Sequence, residues 1–129
     1  MVLFNRDKIA LVVDDEVFAR LFAIQILLDE GFTVIEAEDA LEGLEMLDRN
    51  DDVTVVFTDV RMPGAMDGIG LSEWVGRHRP GVPVVLTSGQ MELERAKLPR
   101  NARFLPKPYT AHALMAAIRE TGLGSPATP

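Results

Sequence analysis

The chain contains no cysteine, which excludes disulfides and thiolate metal sites. Positive charge is also in short supply: 13 Lys and Arg stand against 20 Asp and Glu, a formal net charge of -7. No basic stripe exists to displace counterions from a phosphate backbone, so nucleic acid is not an expected partner. The negative excess favours solubility and a cationic partner or bound metal. No apolar run approaches the roughly 20 residues of a membrane span. The opening Met1-Val2-Leu3-Phe4 is too short for a signal-peptide core. A cytoplasmic protein without a membrane partner is the expectation. Internal repeats are absent as well.

What is present is one domain's worth of alternating structure. The 129 residues are 47% hydrophobic and 26% charged, the composition of a soluble globular domain with a real core. Strand-like apolar runs recur at Ile9–Val13, Thr33–Ala37, Val53–Thr58, Val82–Thr87 and Arg103–Pro106. The third is the clearest: it runs unbroken into Asp59, and Met62-Pro63-Gly64 follows as a turn. Helical periodicity fills the gaps. Val17, Leu21, Ile24 and Leu28 form one predicted inward face, stopped by Gly31. Asp39 and Glu42 have capping-box spacing ahead of Leu44 and Leu47. Leu71, Trp74, Val75 and His78 share a face that ends before Pro80. The segment from Met91 to Leu98 has room for only about one or two helical turns before Pro99. Thr110 is the N-cap expected for a last helix that carries Leu114, Ala117 and Ile118 inward.

Strict β-α alternation with buried strands predicts a three-layer, doubly wound (βα)5 flavodoxin-like fold. Its five-stranded parallel sheet has the expected order 2-1-3-4-5, with the topological switch between the first and third strands. The expected boundaries are a lead-in at 1–7, the domain at 8–121 and a disordered tail at 122–129.

That order brings particular residues to one sheet edge. Asp14, Asp15 and Glu16 follow the first strand and Asp59 the third. Thr87, Ser88 and Gly89 close the fourth, and Lys107-Pro108 follows the fifth. Each has an ordinary reading in isolation: Asp14 or Asp15 as a helix cap, Asp59 as a turn residue, Ser88 as a loop hydroxyl, Lys107 as a solvated charge. Four strand ends converging on one edge make the group functional. Clustered carboxylates raise one another's pKa, and a hard divalent cation with oxygen ligands resolves the conflict. His78 and His112 have no metal-ligand spacing and read as surface residues, and Trp74 and the Met residues read as packing.

The pattern Asp14-Asp15, Asp59 with Met62-Pro63-Gly64 and Met66-Asp67-Gly68, Thr87-Ser88-Gly89, and Lys107-Pro108-Tyr109 resembles the CheY-like receiver domain of two-component response regulators. The resemblance runs from about Lys8 to Thr121. It implies that Asp59 is the phosphoacceptor and that Mg²⁺ (or Mn²⁺) is held by Asp14, Asp15, Asp59 and the backbone carbonyl of Arg61. It also implies that Lys107 and Ser88 contact the phosphoryl group, and that Ser88 and Phe104 form the conformational switch. Arg61 and Gln90 fall where the family tunes phosphoryl lifetime. The Lys107–Pro108 bond is expected to be cis. The implied phosphodonor is a sensor histidine kinase or a histidine phosphotransfer protein, with a downstream effector beyond. The implied state is a monomer or weak homodimer. The resemblance makes the chain a phosphoacceptor, with self-phosphotransfer and slow autodephosphorylation at most, rather than a turnover enzyme.

Two departures stand out: the Ser88-to-Lys107 segment is short, and a residue such as Ala65 enlarges the loop after Asp59. A stand-alone regulator is favoured over a receiver excised from a hybrid kinase or multidomain regulator. An aspartyl-phosphate phosphatase of the haloacid-dehalogenase type would need an acid where Arg61 stands. An FMN carrier would need a Gly/Ser/Thr-rich loop where Asp14-Asp15-Glu16 stands.

Overall fold

The structure, a computed structural model, describes residues 8–89 and 98–121. The expected lead-in at 1–7, the tail at 122–129, Gln90, and the turns read from Met91 to residue 97 lie outside the described residues. The strands are β1 Ile9–Val13, β2 Thr33–Ala37, β3 Val55–Asp59, β4 Val84–Ser88 and β5 Ala102–Pro106. The helices among the described residues are α1 Val17–Asp29, α2 Ala40–Arg49, α3 Gly68–His78 and α4 Ala111–Glu120. All strand pairs are parallel and the order is β2-β1-β3-β4-β5. The fold is the expected one.

β3 and β4 are buried along their whole length, which is why their sequences are continuous apolar runs rather than alternations. Both begin two residues later than the apolar runs do. Pro83 has no N–H to give the ladder, and only its carbonyl serves, accepting from Val56 N–H at 3.0 Å. On one face of the sheet, α1 and α4 lay Ala23, Ile26, Leu27, Leu114 and Ile118 over Val12, Phe57, Val85 and Leu105. On the other, α2 and α3 lay Leu47, Leu71 and Val75 over Leu11, Val13, Val56 and Leu86.

α1 corrects one expectation. Val17, Leu21 and Leu28 are half exposed, while Arg20, Ala23, Ile26 and Leu27 face inward. The helix is apolar on nearly every side, so its spacing pattern contains two competing stripes. Arg20 settles the rotation by bonding to Asp14 and Glu36 beneath the helix. Its C-terminus is a Schellman motif, as Gly31 predicts: Phe32 N–H donates to Leu27 O at 2.9 Å and Gly31 N–H to Leu28 O at 3.0 Å. Gly31 has φ 89°, a conformation that favours glycine.

Thr87 contributes a misfit. Its Oγ1 is buried with no hydrogen-bond partner among the described residues. An unmet buried hydroxyl costs about 1–3 kcal/mol, and an apolar group of the same shape removes that cost. Thr87→Val is therefore expected to stabilise the fold by about 1 kcal/mol, read as a raised midpoint in urea unfolding with an unchanged m-value. A lowered midpoint would mean that the hydroxyl is satisfied by solvent.

Candidate functional site

The crevice lies at the carboxyl ends of β1, β3, β4 and β5. Asp14 leaves β1 with its N–H donating to Ala37 O at 3.1 Å, and its Oδ1 accepts from Glu16 N–H at 2.9 Å. The cap of α1 is neither aspartate: Glu16 accepts from Phe18 N–H and Ala19 N–H at 3.3 and 2.7 Å. Asp14 and Asp15 are thus left to the crevice. Asp59 is the last residue of β3, 9% exposed. One carboxylate oxygen from each of Asp14, Asp15 and Asp59 lies within 4.8 Å of the others.

Lys107 approaches from β5. Its Nζ is 3.3 Å from Asp59 Oδ1 and 3.8 Å from Asp14 Oδ2. Its backbone N–H donates to Ser88 O at 2.9 Å, which ties the lysine to the end of β4, and the Lys107–Pro108 bond is cis. Ser88 is the last residue of β4 and is buried. Phe104 lies in β5 opposite Leu86 and packs, half-buried, against the α2–α3 face. Arg61 is exposed, two residues after Asp59. His78 and His112 are exposed, and His78 stacks on Trp74.

Sequence reasoning gave no role to three contributors. Gly68 passes so close to the β3 end that a Cβ there would sit 2.1 Å from Asp59 O. Tyr109 packs its ring against Phe22 and Phe57, and burial, with the charges of Asp14 and Asp59, raises its phenol above the ordinary range. Arg20 reaches Asp14 from behind. The available signal for Arg20 was a lone cation in an otherwise apolar helix.

Burial raises the carboxyls of Asp14 and Asp59 above their ordinary 3.8, and Lys107 only partly opposes the shift. A raised carboxyl means that the native state binds more protons than the unfolded chain between 3.8 and the folded-state value. Stability contributed by these groups therefore falls as pH rises through that window and is recovered as pH falls below it. Without divalent cations, Asp14→Asn is expected to unfold at a higher temperature than the parent chain at neutral pH. The gap should close towards the ordinary carboxylate pKa; a constant gap, or a reversed one, would contradict the shift.

Three clustered carboxylates, two of them paired with one lysine, suit a hard divalent cation on the acid side and a phosphoryl oxygen on the lysine side. An open parallel sheet with such a crevice at its switch point defines a class of protein, the doubly wound α/β modules that bind their ligands at the carboxyl ends of the strands. The chain belongs to the response regulator receiver domain family, which it matches over residues 10–119. Its role is that of a phosphoacceptor in two-component signalling.

It is 34% identical over 114 residues to the sensor kinase CckA of Brucella abortus, covering 85% of this chain and 12% of that protein. It is 35% identical over 115 residues to the transcriptional regulatory protein CpxR of Escherichia coli, covering 88% of this chain and 48% of that one. The chain thus spans less than half the length of these relatives. Among solved structures it resembles a response regulator receiver domain protein from Clostridium thermocellum (30% identity, TM-score 0.79, 88% and 93% of the two chains). It also resembles the CheX–CheY–BeF3–Mg²⁺ complex from Borrelia burgdorferi (26% identity, TM-score 0.79, 89% of each chain). These likenesses favour neither the phosphatase nor the FMN-carrier reading. No helix among the described residues is long and apolar enough to cross a membrane.

Proposed function

We propose that Asp59 accepts the phosphoryl group, from a phosphohistidine of a sensor histidine kinase or a histidine phosphotransfer protein. The observation that carries this reading is the placement of Asp59 Oδ1 3.3 Å from Lys107 and within the Asp14–Asp15 cluster. An Asp59 oxygen attacks phosphorus in line; the P–N bond breaks, and its electron pair returns to the imidazole, which takes up a proton. Asp14, Asp15, Asp59 and the Arg61 carbonyl would hold Mg²⁺, whose charge offsets the repulsion between carboxylate and phosphoryl oxygens. The tight triad of carboxylate oxygens fits such a cation, and the BeF3–Mg²⁺ complex of the Borrelia relative supports the assignment.

Lys107 gives up Asp59 Oδ1 and pairs with a phosphoryl oxygen, while the Ser88 hydroxyl donates to another. Withdrawal of Ser88 towards the phosphoryl group frees space beside Leu86, into which Phe104 turns. Arg61, exposed two residues after Asp59, and Gln90 set the lifetime of the phosphoryl group.

The protein donor reaches the crevice across α1. An apolar hollow of about 620 Å³ lies beside Lys107, walled by Phe18, Phe22, Pro108 and Tyr109, and Phe18 is 79% exposed. Incubation with acetyl phosphate and Mg²⁺ should add one phosphoryl group, and a chelator should prevent it. Phe18→Ala should leave that reaction unchanged while slowing transfer from a cognate phosphorylated kinase by about 10-fold or more, the scale of a lost aromatic anchor. Uptake indifferent to the chelator would overturn the metal assignment. Equal slowing with both donors would overturn the docking assignment.

A further inference from the structure

Helix α1 turns the usual pattern inside out. Its one basic residue, Arg20, is 8% exposed, whereas Val17, Phe18, Leu21, Phe22 and Leu28 of the same helix are half exposed or more. Burying a guanidinium is costly unless its charge and its donors are met. Arg20 meets them in two directions. Its Nε donates to Glu36 Oε1 on β2 at 2.9 Å, and its Nη1 donates to the backbone carbonyl of Asp14 at 2.8 Å.

The second bond bears on the crevice. The Asp14 carbonyl and the Asp15 N–H belong to one planar peptide unit, so fixing that carbonyl fixes the plane from which both carboxylates hang. Asp14 is held on its other sides as well, by its N–H on Ala37 O and by Glu16 N–H on its Oδ1. Without Arg20, the Asp14–Asp15 peptide would keep the strand bond before it and the side-chain bond after it. It would lose the one bond among the described residues that sets its own rotation. Glu36, more than half exposed, anchors the guanidinium from the solvent side.

We infer that Arg20 is a positioning residue for the acid pair, holding the Asp14–Asp15 peptide so that both carboxylates converge on Asp59. This rests on the reading of the crevice as a divalent-cation and phosphoryl site. The helix that presents the apolar outer face thereby also sets the geometry of the pocket behind it.

The test compares the parent chain, Arg20→Met, Arg20→Lys and Glu36→Gln. Two readouts serve: Mg²⁺ affinity by calorimetry, and amide hydrogen exchange at Asp15 and Glu16 in metal-free protein. Arg20→Met should weaken Mg²⁺ about 10-fold, the scale seen when a residue orienting a metal ligand is lost. It should also speed exchange at Asp15 and Glu16 more than at β3 and β4. Arg20→Lys, which keeps a donor for the carbonyl, should recover most of both. Glu36→Gln should cost about threefold in Mg²⁺ affinity, as for a half-exposed ion pair.

Folded Arg20→Met with unchanged Mg²⁺ affinity and unchanged exchange would overturn the inference and leave Arg20 a packing residue. If Arg20→Met does not fold, Arg20→Lys and Glu36→Gln decide, and parent-like values in both would overturn it. A parent chain that binds no Mg²⁺ would instead sink the reading of the crevice, while the exchange rates would still judge Arg20.

Discussion

Asp59→Asn is expected to take no phosphoryl group from acetyl phosphate or a kinase, a fall of at least about 10³-fold. The amide has nearly the shape of the carboxylate and leaves β3 intact, but its nitrogen is not a nucleophile and its oxygen carries no full charge. Intact-mass measurement after incubation with acetyl phosphate and Mg²⁺ checks this directly. Undiminished labelling would move the acceptor to another residue. The same variant should be more heat-stable than its parent in metal-free neutral buffer, because burial disfavours the charge that Asn lacks. Loss of function together with gain of stability separates a functional carboxylate from a structural one.

Gly68→Ala is expected to do the opposite, damaging fold and site together. The added Cβ would fall 2.1 Å from Asp59 O and 2.9 Å from Val60 Cα, and these are backbone atoms that cannot swing aside. Gly68 N–H also donates to Val60 O at 2.8 Å, so relief of the clash breaks a bond at the end of β3. Overpacking of this kind costs about 3 kcal/mol, and unfolding should occur about 10 °C lower. Displacing the nucleophile by about 1 Å should slow phosphoryl uptake about 10²-fold even where the variant is folded. Gly70→Ala is the control. Its Cβ meets Met66 Cγ at 2.9 Å, the flexible part of a side chain, and alanine is the better helix former. Its stability should stay within about 1 kcal/mol of the parent. Equal damage from both substitutions would mean that helix α3, not the β3 contact, is at fault.

The sheet was legible because its central strands are buried on both faces, so Val55–Phe57 and Val84–Leu86 read as runs with no competing period. The crevice was legible for a related reason. Strand order alone brings Asp14, Asp59, Ser88 and Lys107 to one edge, and a single sequence shows which polar residue ends each run. The rotation of α1 was not legible, because Val17–Asp29 offers apolar side chains in every direction and the deciding contact is polar. Arg20 escaped for the same reason: an arginine in a helix reads as solvated until its partners, Glu36 and a backbone carbonyl, are seen. Gly68 appeared in the motif, but nothing in the motif says how near its Cα lies to Asp59 O. Contacts to backbone atoms leave little trace in side-chain pattern.

The placement of β1 inside the sheet, between β2 and β3, has a kinetic consequence. Ile9 is bonded through its N–H to Thr54, 45 residues further on, and β1 pairs with β2 on one side and β3 on the other. The first strand of this sheet to be synthesised thus waits longest for its full set of neighbours. Pairings this distant carry the loop-closure cost before any contact repays it, which slows folding relative to helical bundles of the same size. Until residues 55–59 arrive, Ile9-Ala-Leu-Val-Val is an apolar strand with one edge open, and the nascent chain is most vulnerable to mispairing in that interval.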